Sequence, residues 1–287
     1  MVVLKFGLGI LWRVVLIGFL YFLSTMVTSS FGLAVGLIMT ANGGSVETIY
    51  ILLIGGMLIA ITAGSLSIML EIPLAQRIII LFLTLYMFSY LIGAPEVALF
   101  TTYPTSFQLF ILMEQLIVNL IIAIAVGVLF KPGKATKDLF SEVKRYFSKR
   151  SSLHWSWRFA LASVLFVPIY YFFGFIFSPI TGPFYDNPEL GLGLVIPSPE
   201  VIVPIELARG LIYALTFTPL IALIRLSRWR LGLYLGALLA IIGAVVPQLV
   251  NVAWPIELRL GHGVEMVLDS IAQGFMIVWL LWPDRGR

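Results

Sequence analysis

His262, Glu265, Asp269 and Gln273 recur at three- and four-residue intervals in LRLGHGVEMVLDSIAQGF, residues 258 to 275. On a helix they fall inside an arc of roughly 80°, so they form one polar stripe, with Leu258 and Met266 beside it. A second stripe lies in PIELARGLIYALTFTPL, where Glu206, Arg209, Tyr213 and Thr216 share a face. Glu206 and Arg209 are spaced to pair within their own helix, and Arg209 has the length to reach a carboxylate on the other stripe. Glu114, Gln115, Asn119 and Glu96 are secondary candidates in the N-terminal half. Glu114 and Asn119 point about 140° apart and do not line one wall.

Three kinds of chemistry suit these residues. His262 and Glu265 make an H-x-x-E pair at i, i+3, and Asp269 with Glu206 would complete a divalent-metal site built from His262, Glu265 and Asp269. A His, Glu and Asp stripe also suits a proton relay, in which an imidazole titrates near neutral pH. The plainer alternative is a satisfied intramembrane network of ion pairs and hydrogen bonds.

Familiar enzyme arrangements are missing. The chain has no cysteine and two histidines, which excludes thiolate chemistry and a three-histidine metal site within one chain. No G-x-S-x-G, H-E-x-x-H or Walker pattern occurs. The glycines of GLGLVIP at 191–197 follow no strand of a βαβ unit. Ser270 beside Asp269 lacks a nearby base and suits helix packing better than nucleophilic attack.

The elements that must position these side chains are membrane helices. Of 287 residues, 60% are hydrophobic and 11% charged, and the mean hydropathy is +1.05, which is the composition of a chain dissolved mostly in lipid. The pattern predicts an all-α integral membrane protein with eight transmembrane helices, at about 8–40, 47–69, 75–95, 107–130, 157–178, 201–225, 229–251 and 259–282. The first block lacks a small-residue cleavage site and reads as a retained span in which Gly32 and Gly36 permit bending. Glu206, Arg209 and the His262 stripe lie inside predicted spans, where a charge costs on the order of 3 kcal/mol, so they must face the bundle interior, a partner or water.

Basic residues occupy alternate connections: Lys5 and Arg13, Arg77, the segment KPGKATKDLFSEVKRYFSKR, RLSRWR and the terminal DRGR. The others, ANGGSVE, APEVALFTTYPTS, ITGPFYDNPELGLGLVIPSPE and NVAWPIE, are acidic or neutral. Positive-inside bias therefore predicts cytoplasmic termini in the inner membrane of a prokaryote, with the polar stripes in the outer half of the bilayer. The net charge of +4 lies mainly in these loops, so the expected partners are membrane lipids and other membrane subunits, with no nucleic acid. Within the basic segment, Leu139, Phe140, Val143, Tyr146 and Phe147 read as an interfacial amphipathic helix tethered to anionic headgroups. Aromatics at span ends, Trp12, Trp155, Trp157, Trp254 and Trp282 among them, read as interface anchors.

The halves also resemble each other. Trp12-Arg13 matches Trp157-Arg158, Phe31-Gly32 matches Phe173-Gly174, and Pro95 matches Pro247. EQLIVNLIIAIAVGVLFKP overlays EMVLDSIAQGFMIVWLLWP without a gap, which aligns Glu114 with Glu265, Asn119 with Ser270 and Pro132 with Pro283. These matches predict two parallel four-helix repeats, residues 1–132 and 157–287, joined by a linker at 133–156.

The leading expectation is a protein that binds or translocates a small polar, ionic or amphiphilic ligand through an outward-facing polar cavity between spans six and eight. Outer loops carrying Tyr103, Phe184, Tyr185 and Trp254 would cover it. Alternatives are a hydrolase or transferase acting on lipid-linked substrate at the outer leaflet, and an accessory subunit of a larger membrane complex.

Overall fold

Apolar blocks of bilayer length have one way to satisfy their backbone in hydrocarbon, which is to bond internally as helices. The computed structural model describes residues 2–37 and 46–283, with side chains from residue 9. Eight helical spans in it are long and apolar enough to cross a membrane. The first is α1, Val2–Ala34, and the second α2, Val46–Met69. The third runs from α3, Leu74–Tyr86, through a five-residue π segment, Met87–Leu91, into α4, Ala94–Phe100. The fourth is α5, Thr105–Leu129, and the linker helix α6, Leu139–Phe147, follows it. The fifth and sixth are α7, Ser152–Thr181, and α8, Pro199–Leu223. The seventh repeats the form of the third: α9, Arg228–Ala240, a π segment, Ile241–Val245, and α10, Val246–Val250. The eighth is α11, Ile256–Leu281. The described residues contain no strand beyond one isolated bridge, Thr101 to Leu194, so the architecture is all-α and multi-pass.

Several predicted ends move. The helix of the first span stops at Ala34, because Gly36 takes φ +74°. Leu37 N–H then bonds Gly32 C=O, and Gly36 N–H bonds Leu33 C=O, the Schellman closure that a left-handed glycine permits. Gly36 is therefore a terminator and not a bend, while the remainder of the predicted 8–40 block lies outside the described residues. The third span continues five residues past its predicted end because Pro95 sits in the first turn of α4, where a missing N–H costs nothing. The fifth begins five residues early, with Ser151 accepting from His154 N–H at its N-cap.

In the first half α1 packs on α2 and α5, and α3 packs on α5. In the second half α7 packs on α8 and α11, and α9 packs on α11. Small residues let the backbones meet, as membrane helices require when lipid offers no hydrophobic drive. A Cβ on Gly274 would stand 2.4 Å from Gly236 Cα. The halves join through spans two and three against spans six and seven. Phe88 packs its ring on Tyr213 and Phe217, Ser65 and Tyr234 share a hydrogen bond of 3.0 Å, and the two π segments touch.

The linker helix is amphipathic, and its apolar face is bolted to the bundle. Leu139 and Tyr146 are buried. Tyr146 Oη donates to Leu281 C=O at 2.6 Å, Trp155 Nε1 donates to Phe147 C=O, and Lys137 Nζ lies 2.8 Å from Glu71. Phe140 is the most exposed large apolar residue of α6, at 73%. The Lys137 hydrogen bond and charge hold the Glu71 carboxyl below its ordinary range, and bonds from Gln76 and Ser141 do the same for Asp138.

Arg77, Arg150 and Arg228, read as loop charge, and Arg158, read as opening the fifth span, are helix caps. Arg77 is 4% exposed and donates to Gly127 C=O near the end of α5. Arg158, Arg228 and Arg150 reach Leu280, Trp279 and Trp282 carbonyls at the end of α11. Cations belong at helix C-termini, where the carbonyls lack partners and the dipole is negative. The side chain of Lys5, the segment 284–287 and most of the 41–47 loop lie outside the described residues.

Candidate functional site

The two stripes meet near the end of the bundle away from the linker. Arg209 sits at their centre, 7% exposed. Its Nη1 donates to both carboxylate oxygens of Glu206, at 2.8 and 2.7 Å, and stands 2.7 Å from Glu96 Oε2. The in-helix pair is the predicted one. The third partner is not: the carboxylate comes from α4 of the N-terminal half and not from Glu265 of α11. The extension of the third span past Pro95 delivers Glu96 to this place.

On α11, His262 Nδ1 lies 3.1 Å from Glu265 Oε2, and Gln273 Nε2 donates to both oxygens of Asp269 at 2.7 Å. These are i, i+3 and i, i+4 contacts, the spacing that stacks side chains on one helix face. Beside them is a cavity of about 40 Å³, lined on its eighth-span side by His262, Glu265, Met266, Asp269, Ser270 and Gln273. Arg209 and Tyr213 close the sixth-span side, Glu96 the third, Tyr170 and Phe173 the fifth, and Leu239 and Gly243 the seventh. Five spans wall it, where two were expected. A space of this size holds a few waters, so an amphiphile does not fit inside it.

The polar lining is graded. Glu96 and His262 are each 23% exposed at the side chain, while Glu206 is 1% exposed and stands behind Arg209, outside the lining. Trp254 packs beside His262, ring centroids 6.3 Å apart. Tyr185 packs instead on Phe100, and Tyr103 on Phe107. Main-chain bonds from Thr102 to Gly193 and from Val195 to Phe100 tie the long 182–198 loop across this end. Arg209 Nε is buried without a hydrogen-bond partner.

Other candidates lie elsewhere. Thr216 turns its hydroxyl back to Ile212 C=O, as Thr218 does to Ala214, so neither takes the Leu215 carbonyl that Pro219 leaves without an N–H. Asn119 donates to Ser89 Oγ and Gln115 C=O. Glu114 Oε1 lies within hydrogen-bond distance of the Thr28 and Ser29 hydroxyls of α1. The two diverge as their helical angle requires. Among the described residues no three His, Asp or Glu side chains are grouped to hold a metal ion. With a guanidinium amid the carboxylates, the divalent-metal reading of His262, Glu265 and Asp269 loses its basis.

Tyr170, Phe173 and Gly243 were not among the site residues expected from the sequence. Tyr170 and Phe173 were hidden in the aromatic run IYYFF, and Gly243 in the apolar IIGAV, where only a π segment gives it a special place. Compared with known proteins, the chain matches no family model, no curated protein and no solved structure. The class defined by fold and site is thus an all-α multi-pass membrane protein with a polar cluster inside its helical bundle.

Proposed function

We propose that this protein binds and moves a proton or a small cation through the polar chamber, from the end of the bundle opposite the linker. The observation that carries the reading is the charge count around a water-sized cavity. Glu96, Glu265 and Asp269 line it with one permanent cation, Arg209, and one imidazole, His262, and Glu206 stands behind Arg209. An excess of carboxylates in a low-dielectric setting requires protons or cations to balance it. The cavity volume of about 40 Å³ favours a proton or an ion over a lipid-linked substrate.

Basic residues concentrated on the linker side support cytoplasmic termini in a prokaryotic inner membrane and a chamber opening outward. The matching construction of spans three and seven, a 13-residue helix followed by a five-residue π segment, supports descent from a duplicated four-helix unit.

A second reading, a structural network inside a subunit of a larger assembly, draws on the neutralisation of Arg209 within the chain. One experiment separates them. Purified protein in vesicles loaded with a pH-sensitive dye should dissipate an imposed proton or sodium gradient. Glu265→Gln, Asp269→Asn and His262→Ala should lower the rate at least tenfold with folded yield intact. Unchanged flux in all three variants, or no flux in the wild type, would leave the structural reading in its place.

A further inference from the structure

We infer that Glu114 is a second, separate proton-binding site, held as a neutral carboxylic acid between the first and fourth spans. Glu114 is 5% exposed in the middle of the N-terminal half, and its Oε1 lies 2.8 Å from Thr28 Oγ1 and 2.7 Å from Ser29 Oγ. Thr28 Oγ1 is also 2.8 Å from Ser24 C=O and 3.0 Å from Thr25 C=O. A hydroxyl has one proton to give. If Thr28 gives it to the backbone, as helix threonines do, its oxygen must accept from Glu114.

With Glu114 protonated, Oε1–H donates to Thr28, Thr28 donates to Ser24 C=O, and Ser29 donates to Oε1. Oε2 has no hydrogen bond among the described residues in either state, so ionisation would leave a charge there that no cation faces.

The ionisable groups of each packed element bear this out. The first span brings Tyr21 and the third brings Tyr90, both phenols. Arg77 of α3 is bound to Gly127 C=O, about 20 Å further along α5. Glu96 of α4 is held by Arg209, and Glu47 is exposed in the first turn of α2. A buried carboxylate without a cation takes a proton instead.

Thr25 Oγ1 adds an independent sign. It is buried and without a hydrogen-bond partner, one turn from Thr28 and Ser29 on the same helix face, where a water could carry the proton away. Loss of that proton would leave a bare charge between two spans and favour their separation.

Infrared difference spectroscopy of the full-length protein tests this without reference to the chamber. The wild-type minus Glu114→Gln spectrum at neutral pH should contain a protonated-carboxyl C=O band of one group, equal in sodium and in choline buffers. Ser29→Ala, which removes a donor, should shift that band and keep it if Glu114→Gln cannot be purified. Carboxylate bands in place of the acid band would overturn the inference. So would an acid band that appears only when sodium is withdrawn, which would make the site a sodium site.

Discussion

Arg209 Nη1 stands 2.7 Å from Glu96 Oε2 and 2.7 Å from Glu206 Oε2, so one guanidinium ties a helix of the C-terminal half to a carboxylate of the N-terminal half. Breaking a buried pair by removing one member costs about 3–5 kcal/mol, because the remaining charge is stranded. Arg209→Gln strands Glu206 and should destabilise the protein by that order, read as a lower midpoint of thermal unfolding in detergent. Arg209→Met with Glu206→Met and Glu96→Gln removes every member, and should recover most of the loss. A triple variant no better than Arg209→Gln would show that the ion pairs are not the source.

The approach of spans seven and eight gives a second test. Gly274→Ala places a methyl 2.4 Å from Gly236 Cα and 3.0 Å from Gly232 C=O. Backbone cannot yield as a side-chain end can, and overpacking of this kind costs about 1–3 kcal/mol. Ser270 and Gln273 ride on the same stretch of α11, so chamber-dependent flux should fall along with stability. Gly9→Ala, where nothing lies within 4 Å, is the control and should change neither.

These two cases mark what was legible in the sequence. The stripe from His262 to Gln273 and the Glu206–Arg209 pair depend only on helix periodicity, a local property, and the structure keeps both. Eight spans were legible for the same reason, since length and hydropathy are local sums. Glu96 meeting Arg209 is a contact across more than a hundred residues. It also depends on a π segment that shifts the register of the third span, and hydropathy carries no trace of such a segment. The Thr28 and Ser29 partners of Glu114 were equally hidden, because membrane-helix hydroxyls usually bond their own backbone. Arg77 was misread because positive-inside counting treats all cations alike, whether they face headgroups or cap a helix.

The linker offers a pH test. Glu71 is bonded by Lys137 at 2.8 Å, and that bond and charge lower its folded-state pKa. Its contribution is therefore fully present above the unfolded value of about 4.3 and is lost as pH falls through the lower folded value. Asp138, lowered by Gln76 and Ser141, acts in the same direction. Hydrogen exchange of residues 137–147 should be slow and flat from neutral pH to about 5 after correction for intrinsic rates, then quicken below about 4. Glu71→Gln should show the quickened exchange already at neutral pH. Because the Glu71 side chain is 46% exposed, salt should weaken the effect.

Gln273 presents the last case, since its single amide nitrogen serves both oxygens of Asp269 at 2.7 Å while the residue is 2% exposed. Gln273→Leu keeps the volume and removes the donor, leaving Asp269 to the chamber alone. Losing one partner of a buried polar pair costs about 1–3 kcal/mol. Losing both can approach neutrality, so Asp269→Leu with Gln273→Leu should cost less than the sum of the single changes. The cycle also separates stability from function. The double variant should be the best folded of the three and should carry no flux, because the carboxylate that exchanges the proton or cation is gone. Flux surviving in that variant would assign the exchange to Glu265 and leave Asp269 a structural partner of Gln273.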